Sequence, residues 1–199
     1  MGKKIIALLG SPVRNGNTAY LFEQAVAGAE EGGCEVERVM VPFLNFSPCM
    51  EILHCMEHED CRMQDDVTPF YRRFREMDGL IIATPIMTMG IPGKLKSFMD
   101  RFQVYYMAKY MRKNSFISPD RRKQRKTLFI CISGTNYDDV FDGALQTTRT
   151  FCEIIDCPYW DGVFQRDMDH VRDIRTRPEI VEACREKGRE LCSIVGPSD

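Results

Sequence analysis

The chain has little of what marks a specialised partner or compartment. Across 199 residues, 27 Lys and Arg nearly balance 29 Asp and Glu, a formal net charge of −2. That leaves no general basic footprint, so nucleic acid is not an expected partner. The apolar run that follows Met1-Gly2-Lys3-Lys4 is broken at once by Gly10-Ser11-Pro12, too soon for a signal peptide or membrane span. The start also lacks the Ser or Thr of a myristoylation signal. Repeats and low-complexity tracts are missing, as is any Ser–His–Asp or paired-carboxylate constellation; His54, His58 and His170 read as solvated. What remains is the expectation of one cytoplasmic domain, and 44% hydrophobic residues suffice for a sizeable core.

Five apolar β-type runs alternate with helical patterns: Lys4 to Leu9, Glu35 to Val41, Gly79 to Thr84, Thr127 to Ser133 and a weaker Tyr159 to Phe164. The third and fourth are nearly continuous, as expected of strands buried on both faces of a parallel sheet. Asn17/Thr18 can open a helix that stops at Gly32-Gly33. Asp65/Asp66 can cap a second, with Phe70, Phe74 and Met77 at helical spacing. Pro92 suits the first turn of a third. A fourth is expected from about Phe141 to Ile155, and Pro178 opens a fifth. Such alternation predicts βαβ units in a doubly wound α/β fold with helices on both faces of the sheet. One segment, 103–126, is long for a helix-to-strand link. Its aromatics (Tyr105, Tyr106, Tyr110, Phe116) and its basic run Arg121 to Lys126 read as a helix extension with a solvated face or as a lid or subunit-contact arm. They read only distantly as a nucleic-acid patch, since the run is short and the chain is not basic overall.

In such a sheet, ligands sit beyond the carboxyl ends of the strands. The loop Gly10 to Thr18 lies there by construction. It resembles a triphosphate loop, yet five residues separate Gly10 from Gly16 and Asn17 stands where the Lys should be. Ser11, Arg14, Asn17 and Thr18 offer donors beside a helix N-terminus, and a monophosphate suits them better than a triphosphate. The loop ATPIMTMGIPGKLKSFMDRF follows the third strand and could set backbone groups and apolar side chains against a flat heterocycle. SGTNYDD, from Ser133 to Asp139, follows the fourth.

GSPVRNGNTA followed by TPIMTMGIPGKLKSFMDRF resembles the NADPH-dependent FMN reductases of the flavodoxin-like superfamily, in particular the iron–sulfur flavoproteins and their cluster-free relatives. The family pattern is roughly GSPR-x-x-GNT, a Cys-rich segment, then TP-[IV]-Y ending in PG-x-LK-x-F-x-DR. The likeness covers most of Met1 to Arg101 and, more loosely, the remainder. It implies a three-layer sandwich around a five-stranded parallel sheet of order 2-1-3-4-5. It implies FMN, with Ser11, Arg14, Asn17 and Thr18 on the phosphate. Pro85, Ile86, Met87 and Thr88 would lie against the isoalloxazine, and Ser133 and Gly134 would close its other side. Arg14 stands one place later than the family's Arg, and Met87 replaces the usual Tyr.

Nine cysteines is a high count. Cys34, Cys131, Cys152, Cys157, Cys184 and Cys192 fall mostly in apolar patterns and read as small buried hydrophobes. Without secretion a disulfide framework is not expected. Cys49, Cys55 and Cys61 differ. Overlaid on the C-x2-C-x2-C-x4–7-C array of the iron–sulfur flavoproteins, they fall on its first, third and fourth positions, with Ile52 on the second. A 4Fe-4S cluster with an unusual fourth ligand, structural or redox thiols, and a Zn²⁺ site completed by a His remain open. The expected function is an FMN-dependent oxidoreductase. It would pass electrons from NAD(P)H or a protein donor to a small acceptor, as a homodimer or homotetramer with the 105–110 segment at the subunit boundary. The alternatives are an electron-transfer module exchanging electrons with ferredoxin-type partners and a flavin-fold protein that has lost its flavin.

Overall fold

The computed structural model describes residues 2–196. Strands β1 (Lys4–Leu9), β2 (Glu35–Met40), β3 (Gly79–Pro85), β4 (Lys126–Ile132) and β5 (Tyr159–Gln165) form one parallel sheet of order β2-β1-β3-β4-β5. Every expected strand is present to within a residue. The helices are α1 (Asn17–Glu31), α2 (Thr68–Glu76), α3 (Gly93–Asp100), α4 (Gln103–Tyr106), α5 (Pro119–Gln124), α6 (Asp142–Ile154), α7 (Met168–Val171) and α8 (Pro178–Ile194). Among the described residues no helix is long and apolar enough to cross a membrane.

Alternation along the strands divides the core in two. Ile6, Leu8, Leu80, Ile82, Phe129 and Cys131 face an aromatic layer from α2, α3 and α6, including Phe70, Phe74, Phe98 and Phe151. Ile5, Ala7, Leu9, Ile81, Leu128 and Ile130 face α1 and α8. Those two helices cross backbone to backbone. A Cβ on Gly28 would stand 1.9 Å from the Arg185 carbonyl oxygen, and one on Gly188 would stand 1.9 Å from that of Ala25. Only glycine permits this approach.

Asp65 shapes the turn before α2 but, contrary to expectation, does not cap the helix. Its Oδ1 accepts from the Val67 amide at 3.0 Å and its own amide donates to Thr68 Oγ1 at 3.0 Å, while the capping position is Val67, with no side-chain cap. Asp66 instead accepts from the Asn45 amide at 2.6 Å.

Two expectations change. Cys34 and Cys192 are not separate small hydrophobes but a disulfide joining residues 158 apart in sequence. Packing of α8 against α1 brings them together, which no local pattern encodes; Cys131, Cys152, Cys157 and Cys184 are buried free thiols as read. The 103–126 segment is not uniformly a surface arm. Tyr105 is 2% exposed and donates from its hydroxyl to the Tyr71 carbonyl at 2.6 Å. Arg125, inside the supposed solvated run, is fully buried and donates to the carbonyls of Phe74 and Ile155. Tyr106 and Tyr110 stay partly exposed, with ring centroids 4.9 Å apart.

Candidate functional site

The carboxyl ends of β1, β3 and β4 lie side by side, with Leu9 opposite Ala83 and Pro85 opposite Ile132. The loops that follow continue the pairing: Gly10 N–H donates to the Ala83 carbonyl at 2.8 Å, and Ile86 N–H to that of Ile132 at 2.8 Å. Three loops therefore meet at one edge.

In the first loop Ser11 is buried, and its Oγ accepts from the Val13 amide at 3.2 Å. Thr18 is buried in the first turn of α1, and no side chain among the described residues caps that turn. Its leading N–H groups are thus left for a ligand or water. Arg14 turns aside: its guanidinium lies 3.9 Å over the centroid of Phe43, in the short turn that follows β2. The side-chain amide of Asn17 is spent inside the protein. Its Nδ2 donates to the Arg172 carbonyl at 2.7 Å, and its Oδ1 accepts from the Ile174 amide at 3.1 Å.

The second loop is a two-residue turn closed by reciprocal Met87–Gly90 hydrogen bonds of 2.8 and 3.0 Å. Thr88 and Met89 occupy its centre at φ 50° and 58°. A hairpin turn of this hand ordinarily takes Asn-Gly, and a β-branched residue there is strained. Exposed Met87 and Met89 present thioethers at the edge. The turn rests on the start of α6, where a Cβ on Gly143 would stand 2.6 Å from the Met89 carbonyl oxygen.

In the third loop Ser133 is buried, with Oγ 3.2 Å from Thr135 Oγ1. The carbonyls of Ser133 and Gly134 accept from the amides of Met168 and Asp169 at 2.9 and 3.1 Å. The loop after β5 is thereby tied to both the first and third loops. No strand–glycine motif marks that fourth loop, and the sequence reading missed it.

Cys49, Cys55 and Cys61 are half-buried and line one cavity of about 370 Å³, together with Ile52, His54 and Gln103. This cavity reaches Asp100, at the far end of α3 from the three loops, roughly 10 Å of helix away. Burial pushes the Cys55 thiol up, and the nearby Cys61 and Cys49 add to that. Arg101, itself buried, holds the segment by donating to Asp65 Oδ2 at 2.5 Å, to the Ser47 carbonyl at 2.9 Å and towards Cys61 Sγ at 3.7 Å. Arg112 donates to the Cys55 carbonyl. Exposed Ile52 supplies no fourth thiolate. Among the described residues no three metal-binding side chains stand close enough to hold one ion. Neither a four-thiolate cluster nor a tetrahedral zinc fits the residues as arranged.

A five-stranded parallel sheet of order β2-β1-β3-β4-β5 with three loops meeting at its carboxyl edge defines a flavodoxin-like fold. Residues 3–136 match the model of the NADPH-dependent FMN reductases, and the chain belongs to that family. It is 31% identical over 106 residues to an iron–sulfur flavoprotein of Archaeoglobus fulgidus, covering 53% of this chain and 54% of that one. The chain spans about half the length of the curated relatives it matches. Among solved structures, an NAD(P)H:quinone oxidoreductase from Methanothermobacter marburgensis superposes with a TM-score of 0.70 at 18% identity, covering 96% of each chain. An FMN-dependent NADH-azoreductase from Bacillus anthracis, solved in complex with FMN, gives 0.68 at 17% identity, covering 97% of this chain and 98% of that one. At these identities the superpositions speak for the fold.

Proposed function

We propose that the chain binds FMN at the β1, β3 and β4 loops and passes electrons through it from a reduced nicotinamide dinucleotide to a small acceptor. The observation that carries this reading is the meeting of an uncapped α1 N-terminus with two further loops at one sheet edge. The donor set suits a monophosphate. Ser11 and Thr18, with the backbone amides of Asn17 and its neighbours, would hold it, while Arg14 stays on Phe43. Pro85, Ile86, Met87 and Thr88 would lie along one side of the ring system, with Ser133 and Gly134 on the other. When bound, FMN supplies the redox chemistry by accepting a hydride equivalent. The protein's part is to orient the ring and to keep water from one side of it with Met87. The seat of the 87–90 turn on Gly143 holds the backbone that carries Met87.

Purified protein given FMN should show bound-flavin absorbance that NADPH or NADH bleaches anaerobically and that a quinone or azo acceptor restores. A protein that takes up no flavin refutes the reading. The convergence of three thiols on one cavity supports a second reading, an electron-transfer protein. Iron and acid-labile sulfide analysis of anaerobically purified protein separates the two. About four irons per chain would mean that the three thiols rearrange around a cluster and would favour the electron carrier, whereas iron-free, flavin-loaded protein supports the reductase.

The 103–126 segment would serve as a subunit contact through Tyr106 and Tyr110, which remain on the surface. Tyr106→Glu should shift a dimer or tetramer towards monomer in size-exclusion chromatography with light scattering. An unchanged mass moves the contact elsewhere.

A further inference from the structure

We infer that Arg172, in the loop after β5, supplies the guanidinium that meets the cofactor's phosphate, a role that the loop motif alone would give to Arg14. This rests on the reading that FMN sits at the α1 N-terminus.

A phosphate monoester brings close to two negative charges at neutral pH, and backbone amides are ordinarily joined by a charged fork at such a site. Arg14 is poorly placed for that work. It stacks 3.9 Å over Phe43, which follows β2, and β2 flanks β1 on the side opposite β3. The guanidinium is therefore drawn along the sheet edge towards β2, away from the loops that follow β3 and β4. Stacking of this kind gives the side chain a preferred position on the exposed surface.

Arg172 is brought in from far along the chain. Its carbonyl accepts from Asn17 Nδ2 at 2.7 Å, and two residues on, the Ile174 amide donates to Asn17 Oδ1 at 3.1 Å. Both ends of one amide at the first residue of α1 thus clamp the 172–174 backbone to the mouth of that helix. The Arg172 amide donates to the Met168 carbonyl at 2.8 Å. That helical turn is itself fixed to the Ser133–Gly134 loop through the Met168 and Asp169 amides. The backbone that carries Arg172 is consequently held from two of the three cofactor loops, within reach of an extended arginine from the leading amides of α1.

The neighbouring cations are otherwise engaged. Arg166 pairs with Asp138 at 2.7 Å, and Arg175 pairs with Asp173 at 3.1 Å while lying over Tyr20. Arg172 is exposed and pairs with no carboxylate among the described residues. Asn17 would then act at one remove, as the residue that positions Arg172. It also follows that the cofactor site extends beyond residues 3–136, the part that matches the family.

The test titrates apoprotein with FMN and, separately, with riboflavin, which lacks the phosphate, following flavin fluorescence. Loss of a charge-assisted contact predicts that Arg172→Ala weakens FMN binding by about 10- to 100-fold while riboflavin binding stays unchanged. Arg172→Lys should recover part of the loss. Arg14→Ala and Arg177→Ala, an exposed arginine at the start of α8 as control, should each change FMN affinity by less than about threefold. Wild type that binds FMN, with Arg172→Ala matching it, overturns the assignment and leaves the FMN reading standing. Equal loss for FMN and riboflavin in Arg172→Ala, or a large FMN-specific loss in Arg14→Ala, also overturns it. Wild type that binds neither flavin overturns both. Thermal melts of each variant, unchanged from wild type, exclude misfolding as the source of a loss.

Discussion

Replacing Gly28 by Ala sets two well-measured effects against each other. A Cβ at this position would stand 1.9 Å from the Arg185 carbonyl oxygen and 2.8 Å from its carbonyl carbon. Ordinary contact needs about 3.5 Å, so α1 and α8 would have to part by roughly 1.5 Å. The obstacle is backbone, not the tip of a flexible side chain. The cost therefore belongs at or above the upper end of the 1–3 kcal/mol typical of overpacking. Helix propensity works the other way, because Ala in a helix interior is favoured over Gly by about 1 kcal/mol. The net expectation is a destabilisation of about 2 kcal/mol, which for a chain of this size lowers the melting midpoint by about 4–8 °C. Gly188→Ala should act alike, since its Cβ would meet the Ala25 carbonyl at the same 1.9 Å. The double variant should fall short of twice the single effect, because either substitution alone separates the helices. Thermal and urea melts of the three variants are the assay. A midpoint that is unchanged or raised in Gly28→Ala would mean that propensity wins and that the backbones do not touch.

Reduction of the Cys34–Cys192 bridge, or Cys34→Ser, should lower stability by at most about 5 kcal/mol on chain-entropy grounds, given the 158-residue span; identical urea midpoints with and without reductant would show that the bridge is not formed. Asp65→Asn strips the fully buried Arg101 side chain of its only carboxylate partner among the described residues, and should cost about 3–5 kcal/mol in urea melts; a loss under 1 kcal/mol would show that the pair is idle. His170, 2.5 Å from the Asp167 carboxylate, is held above its ordinary 6.5 by that hydrogen bond and charge. The contact therefore favours the folded state fully below pH 6.5 and fades as pH rises through the raised value. NMR titration should place the imidazole above 6.5 in the wild type and return it in Asp167→Asn, and equal titration curves would refute the pairing.

Local pattern carried the sheet. β1, β3 and β4 are nearly uninterrupted apolar runs with both faces covered, visible without tertiary knowledge, whereas β2 (EVERVM) shows itself by alternation and β5 is only partly buried. Helix starts marked by Pro92 and Pro178 were legible from local pattern as well. The site was half legible. Glycine-bounded loops after β1 and β3 announce themselves, but Arg14 on Phe43, Asn17 on Arg172 and Ile174, and Cys34 on Cys192 are long-range pairings. Burial of Arg125 within a basic run was likewise hidden, because only the carbonyls of Phe74 and Ile155, contributed by two other helices and their flanks, make it tolerable.

The central claim is a monophosphate cradle at the α1 N-terminus. Isothermal titration of the wild-type apoprotein with FMN and with riboflavin tests it most directly. The account predicts one FMN per chain, bound at least about tenfold more tightly than riboflavin, with the difference shrinking as salt is raised. Equal affinities for the two flavins, or no binding of FMN, would contradict it.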